Sequence, residues 1–131
     1  MNEPIKEIIE IWTPRQSDFD RFAVVSGDDN PIHVDPDFSA RTRFGRTVSH
    51  GMLLYSRVWA LVKRHWPDAG HAGQTLMFPN PSYADEALLL KVAPIVDDPD
   101  RITVSVTREA DGAVTLQGEC RIGQSVGSEA S

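Results

Sequence analysis

Apolar positions follow one pattern up to the end of the long helical run and another from Gln74 onward. Ile5, Ile8, Ile9, Ile11 and Trp12 predict a short first strand, stopped by Thr13-Pro14. Phe19, Phe22, Ala23 and Ser26 then recur at helical spacing. They predict a helix over Gln16–Val25, with Thr13 as N-cap, Pro14 in its first turn and Gly27 at its end. The segment Ser26–Pro36 (SGDDNPIHVDP) holds Gly, Asp, Asn and two prolines and reads as a structured loop. Asp35 and Pro36 start a short helix over Asp37–Thr42. A longer helix is expected from Gly51 to about His65, ended by Trp66-Pro67. Met52, Leu53, Leu54, Val58, Trp59, Leu61 and Val62 make it apolar nearly all round, the mark of a buried helix.

From Gln74 onward the segments Thr75–Phe78, Ala87–Val96, Ile102–Arg108 and Ala113–Ile122 alternate or run apolar and predict strands. Asp97–Asp100 and Ala110–Gly112 are the expected turns of an antiparallel meander. Strands segregated after helices define an α+β class. A curved antiparallel sheet wrapped around the long helix is the simplest way to bury that helix. The 131 residues fit one domain, expected over 1–124, with 125–131 as a small, polar, disordered tail. A domain of this size does not easily enclose a deep private pocket, and a pocket shared between subunits relieves that problem.

Charge narrows the partners. Thirteen basic against nineteen acidic residues give a net charge of −6, which argues against a nucleic-acid surface. A local cluster, Arg41, Arg43, Arg46 and Arg57, leaves room for an anionic ligand or for a plain solvated face. No apolar run approaches the ~18 residues of a membrane span, and the charged N-terminus has no signal-like core. The chain reads as soluble and cytoplasmic. The single cysteine, Cys120, forms no internal disulfide and reads as a small core residue.

The candidate chemistry sits in the proline-stiffened loop. Asp28 offers a carboxylate and His33 an imidazole that exchanges protons near neutral pH, so the pair can polarise one shared water. Asn30 and Asp29 are expected to brace the loop through backbone hydrogen bonds. Ordinary turn and capping roles explain the same residues equally simply. Ser49-His50-Gly51 opens the long helix, where unpaired N–H groups and partial positive charge favour a developing oxyanion. In that setting Gly51 admits a ligand oxygen close to its N–H. The plain alternative makes Ser49 an N-cap and Gly51 a packing residue. A metal held by His33, Asp35 and His50 is a weaker option, since neither HExxH nor CxxC spacing occurs. Also missing are GxGxxG, a P-loop and a GxSxG elbow.

The run Phe22–His33 (FAVVSGDDNPIH), with Asp37–Ala40, Phe44-Gly45 and Val48–Leu53 (VSHGML), resembles the signature of the MaoC-like family of (R)-specific enoyl-CoA hydratases. The resemblance is strong over Phe22–Leu54 and extends to the strands in pattern only. It implies a hot-dog fold, a homodimer or larger homo-oligomer, and an active site between subunits. It also implies syn addition of water to a trans-2-enoyl thioester of CoA or acyl-carrier protein, or the reverse dehydration, with no cofactor and no metal. Asp28 and His33 are the implied catalytic pair. Asn30, Ser49, Gly51 and Ser56 are the implied supporting residues, and His50, Gly51, Met52, Trp59 and Phe78 are expected along the substrate path. Trp59 also reads as plain core. Ala84 stands where relatives often carry Gly, which puts a different turn there. A hot-dog thioesterase and a non-enzymatic acyl-thioester-binding subunit are the alternative functions on this scaffold.

Overall fold

The computed structural model describes residues 7–123; Ile5 and the expected tail lie outside them. The order is β1 (Ile8–Trp12), α1 (Gln16–Ser26), α2 (Pro31–Val34), α3 (Pro36–Ala40), α4 (Gly51–His65), β2 (Gly70–Met77), β3 (Leu88–Ile95), β4 (Asp98–Arg108) and β5 (Val114–Gly123). The strands form one antiparallel sheet in the order β1-β3-β4-β5-β2, so β1 and β2 are its edges. One face of this sheet holds α4. Leu88, Leu90 and Val92 of β3, Ile102, Val104 and Val106 of β4, and Leu116 and Cys120 of β5 close over Leu54, Tyr55, Val58, Leu61 and Val62 of the helix. Each fully buried Leu or Val contributes about 1.5–3 kcal/mol, so this layer carries most of the stability. The arrangement is the hot-dog fold.

The differences from the expected elements have local causes. Arg15, not Thr13, caps α1, because the Asp18 carboxylate reaches back to the Arg15 N–H at 2.8 Å. The supposed loop contains a full helical turn, α2, with Asn30 as its cap. Likewise α4 is capped by the backbone of His50 rather than by Ser49, whose hydroxyl donates to the His50 carbonyl at 2.9 Å. The helix is not buried all round: Met52, Ser56, Ala60, Lys63 and Arg64 form an exposed strip.

Strand β2 begins at Gly70 rather than Thr75. As an edge strand it pairs only with β5 and needs no alternating apolar face. Asp98-Pro99-Asp100 lies inside β4, and the hairpin turn is the pair Val96-Asp97, with Asp97 at φ 68°. In the turn before β3, Ala84 keeps an ordinary backbone while Asp85 takes the left-handed position, φ 67°, which Asp tolerates well. Among the described residues no helix is long and apolar enough to cross a membrane.

Candidate active site

A cavity of about 620 Å³ opens where the α1–α2 loop, the start of α4 and the segment Phe78–Ser82 meet. The loop that supplies its polar wall is fixed by its own backbone bonds. Gly27 takes φ 80° to end α1, and its N–H bonds back to Ala23. The Ser26 hydroxyl donates to the Phe22 carbonyl at 2.6 Å and accepts from the Asp28 N–H at 3.1 Å. Asn30 Oδ1 accepts from the Ile32 N–H at 3.1 Å, starting α2. From outside, Gln16 donates to the His33 carbonyl at 2.8 Å and is itself held by Thr47 at 2.6 Å, while Ser39 donates to the Ile32 carbonyl at 3.1 Å.

These bonds bring Asp28 and His33 together. His33 Nε2 lies 3.8 Å from Asp28 Oδ2, too far for a direct hydrogen bond but close enough to share one water. The other ring nitrogen, Nδ1, is 2.8 Å from the Val48 carbonyl. A carbonyl only accepts, so Nδ1 carries the hydrogen and Nε2 is bare whenever the ring is neutral. Protonation therefore occurs at the atom that faces Asp28. Half of the Asp28 side chain meets solvent, whereas that of His33 is largely covered.

His50 backs the pair. It is 3 % exposed, its ring stacks on His33 at 3.9 Å, and its Nε2–H donates to the Asp28 carbonyl at 2.9 Å. Burial lowers its proton affinity below the ordinary histidine value, and the charge that His33 can carry lowers it further, while the bond to the Asp28 carbonyl opposes both. Its Nδ1 is buried without a partner among the described residues, as is Ser82 Oγ; both residues line the cavity.

Asp28, His33 and His50 place one ligand-type atom each within 4.8 Å of the others. Their geometry fits proton transfer better than a metal. The two imidazoles stack with only 23° between planes, so their in-plane lone pairs run side by side instead of converging on one ion. Asp35 takes no part, because it caps α3 by accepting from the Phe38 N–H at 3.1 Å.

Gly51 and Met52, at the N-terminus of α4, line the same cavity and add the unpaired N–H groups of a first helical turn. The missing Cβ of Gly51 has a packing reason as well: it would lie 2.8 Å from the Phe78 ring. Phe78 and Met52 are half-exposed apolar walls, and Ser49 completes that side.

Two expected residues lie elsewhere. Ser56 is exposed and donates to the Leu53 carbonyl at 2.8 Å. Trp59 packs on the core and meets His71 edge-on at 4.9 Å. Neither lines the cavity. Of the arginine cluster, Arg46 pairs with Glu86 and Arg57 with Glu10. Arg43 lies at the cavity wall beside Phe44 and has no carboxylate partner among the described residues. The Val48 carbonyl, His50 as a brace, Ser82 and Thr115 were not singled out by residue type for their places at this site. Only the first two lie near the signature in sequence.

The MaoC like domain family matches residues 2–116. The chain is 34% identical over 103 residues to an (R)-specific enoyl-CoA hydratase of Aeromonas caviae, covering 75% of this chain and 77% of that protein. It is 32% identical over 110 residues to a 3-hydroxybutyryl-CoA dehydratase of Methylorubrum extorquens, covering 81% and 70%. Its fold superposes on the unliganded R-hydratase PhaJ1 of Pseudomonas aeruginosa with a TM-score of 0.85 at 28% identity, covering 95% of this chain and 83% of the other.

Proposed function

The chain belongs to the MaoC-like family, and from that premise we propose that Asp28 and His33 add water across the double bond of a trans-2-enoyl thioester, or remove it from an (R)-3-hydroxyacyl thioester. The activity class is that of a hydro-lyase. The observation that carries the residue assignment is the 3.8 Å approach of a bare-or-protonated Nε2 to a carboxylate at the wall of a cavity that also receives the α4 N-terminus.

The pair works with one proton between its two members. In hydration, ionised Asp28 removes a proton from the shared water as its oxygen bonds C3. The charged His33 gives its Nε2 proton to C2. The C2–C3 double bond is consumed, and the pair ends with its proton on Asp28 instead of His33. Transfer of that proton back to Nε2 resets the site. Meanwhile the N–H of Gly51 stabilises the thioester oxygen as it takes on enolate charge. Asn30 holds the loop, and Ser49, Met52 and Phe78 border the acyl path.

The handle is a CoA or acyl-carrier thioester, and Arg43 is the one basic side chain at the cavity wall suited to its phosphate. The working unit is a homodimer. The exposed Met52 at the start of α4, and the exposed Met77 and Phe78 at and just after the end of edge strand β2, are the surfaces a second copy would cover. The reading places the enzyme in the cytoplasm, with its thioester substrates.

A panel of enoyl-CoA thioesters in D2O tests the assignment. The expected result is loss of the conjugated-thioester absorbance, an (R)-3-hydroxyacyl product with one deuterium at C2, and no thiol release. Thiol release without C2 deuteration would replace hydration by thioester hydrolysis.

A further inference from the structure

His50, at the start of α4, touches both members of the proton pair. Its Nε2–H ties the Asp28 backbone at 2.9 Å, its ring face lies on His33 at 3.9 Å, and Phe22 of α1 meets it edge-on at 4.8 Å. The Asp28 side chain is 55% exposed, so packing does little to place it, and its position is set through its backbone. We propose that His50 is a positioning residue for the proton pair: the Nε2–H fixes where the Asp28 carboxylate starts from, and the ring fixes the plane in which His33 Nε2 points. This inference rests on the assignment of Asp28 and His33 as the reacting pair.

The role requires a neutral His50. Its Nε2 proton is committed to a carbonyl, which leaves Nδ1 bare, and burial disfavours a second proton. The titratable groups that face the His33 ring are Asp28 and His50. A neutral aromatic face beneath a protonated His33 is attractive, whereas a second charge would repel it. A neutral His50 does not compete for the proton that the pair shares.

Two variants separate its two contacts. His50→Phe keeps a stacking face and loses the donor; His50→Gln keeps a donor and loses the face. Both are expected to lower kcat about 10- to 100-fold, as loss of a supporting hydrogen bond or ring commonly does, with KM changed less than about threefold. NMR titration of the His33 ring, without substrate, distinguishes them. The midpoint should stay within about 0.2 pH units of the parent in His50→Phe. It should fall by about half a unit in His50→Gln, the size expected for loss of one cation–π contact. Folded variants with parental kcat and an unmoved His33 midpoint in both would overturn the proposal.

A third arm uses the unsubstituted protein and stands even if both variants fail to fold. There His50 is expected as the Nε2–H tautomer, uncharged throughout the pH range in which His33 gains its proton. A His50 that titrates together with His33, or that carries its proton on Nδ1, overturns the proposal. Because both NMR arms need no turnover, failure of the hydratase assignment and failure of the positioning role give different results.

Discussion

Replacing Asp28 by Asn removes a base while leaving almost everything else in place. The side chain keeps its size, and an amide oxygen can still accept the 3.4 Å bond from the Asn30 N–H. The 3.8 Å approach to His33 involves a half-exposed carboxylate, and such pairs add little stability. Asp28→Asn should therefore change folding stability by no more than about 0.5 kcal/mol. Catalysis should suffer far more. A positioned general base is worth about 10²- to 10⁴-fold, which is about 3–5 kcal/mol of barrier. Some rate above background should survive, because the proposed contact of the α4 N-terminus with the thioester oxygen is untouched. KM should move less than about threefold, since in the proposed reaction Asp28 acts on the water and not on the handle. The assay is the loss of enoyl-thioester absorbance under saturating substrate, beside a thermal melt of the same preparation. A folded Asp28→Asn enzyme with kcat within about threefold of the parent would refute the proton accounting given above.

Three further outcomes follow from other parts of the molecule. Arg43→Ala should raise KM for a CoA thioester about five- to twentyfold, the worth of one exposed charge-assisted contact. KM for the matching N-acetylcysteamine thioester, which has no phosphate, should not move, and equal effects on both would remove Arg43 from the handle. Burial keeps the folded-state pKa of His50 below its ordinary 6.5, so the folded chain binds fewer protons at this residue than the unfolded chain. Its contribution to stability is full above about pH 6.5 and shrinks as pH falls through that value. Denaturant midpoints of the parent should therefore drop more than those of His50→Gln between about pH 7 and pH 5, and the opposite tilt would contradict a buried neutral ring. Gly118→Ala would put a Cβ 1.9 Å from the Thr75 carbonyl oxygen, forcing β2 off β5. It should cost about 1–3 kcal/mol and lower the melting temperature by several degrees; an unchanged melt would mean that the strands separate freely.

How far the sequence revealed this site depends on how far apart its parts lie along the chain. Gly51 and Pro67 bracket α4, and the helix spans Gly51–His65 as its apolar spacing indicates. Asp28 and Asn30 lie just before α2 and His33 within it, six residues from end to end, so their nearness is legible in the sequence. Here the structure supplies what residue types lack: the Val48 carbonyl that selects the His33 tautomer is a backbone group with no signature. Ser82 and Thr115 reach the cavity only after the sheet closes. Ser56 and Trp59 are expected near the site from the resemblance alone, and Trp59 takes the plain core role that its residue type also suggests. At ~100° and ~1.5 Å per residue, Ser56 stands about 140° around α4 from Gly51, and Trp59 lies about 12 Å further along the axis, so neither reaches the cavity at the helix start. The opening of β2 was missed for a different reason: one of its sides has no partner strand, and an edge strand of Gly, His, Ala and Gln has no period to read.

The proton pair and the helix terminus are not independent parts that happen to be near each other. His50 is the last residue before α4, the ring against His33 and the donor to the Asp28 backbone. In the proposed reaction one residue therefore sets the distance between the groups that would handle protons and the N–H groups that would polarise the thioester. Hydration needs that distance to span two carbons, because water bonds C3 while charge collects on the oxygen attached to C1. Hydrolysis needs the water at C1 itself, beside the atom the helix terminus holds. On the proposed assignment the three-way brace would resist a shift of the water toward C1, since that would mean moving Asp28, His33 and the start of α4 against one another. On the proposed assignment, the packing around His50 links the two reacting side chains to the start of α4.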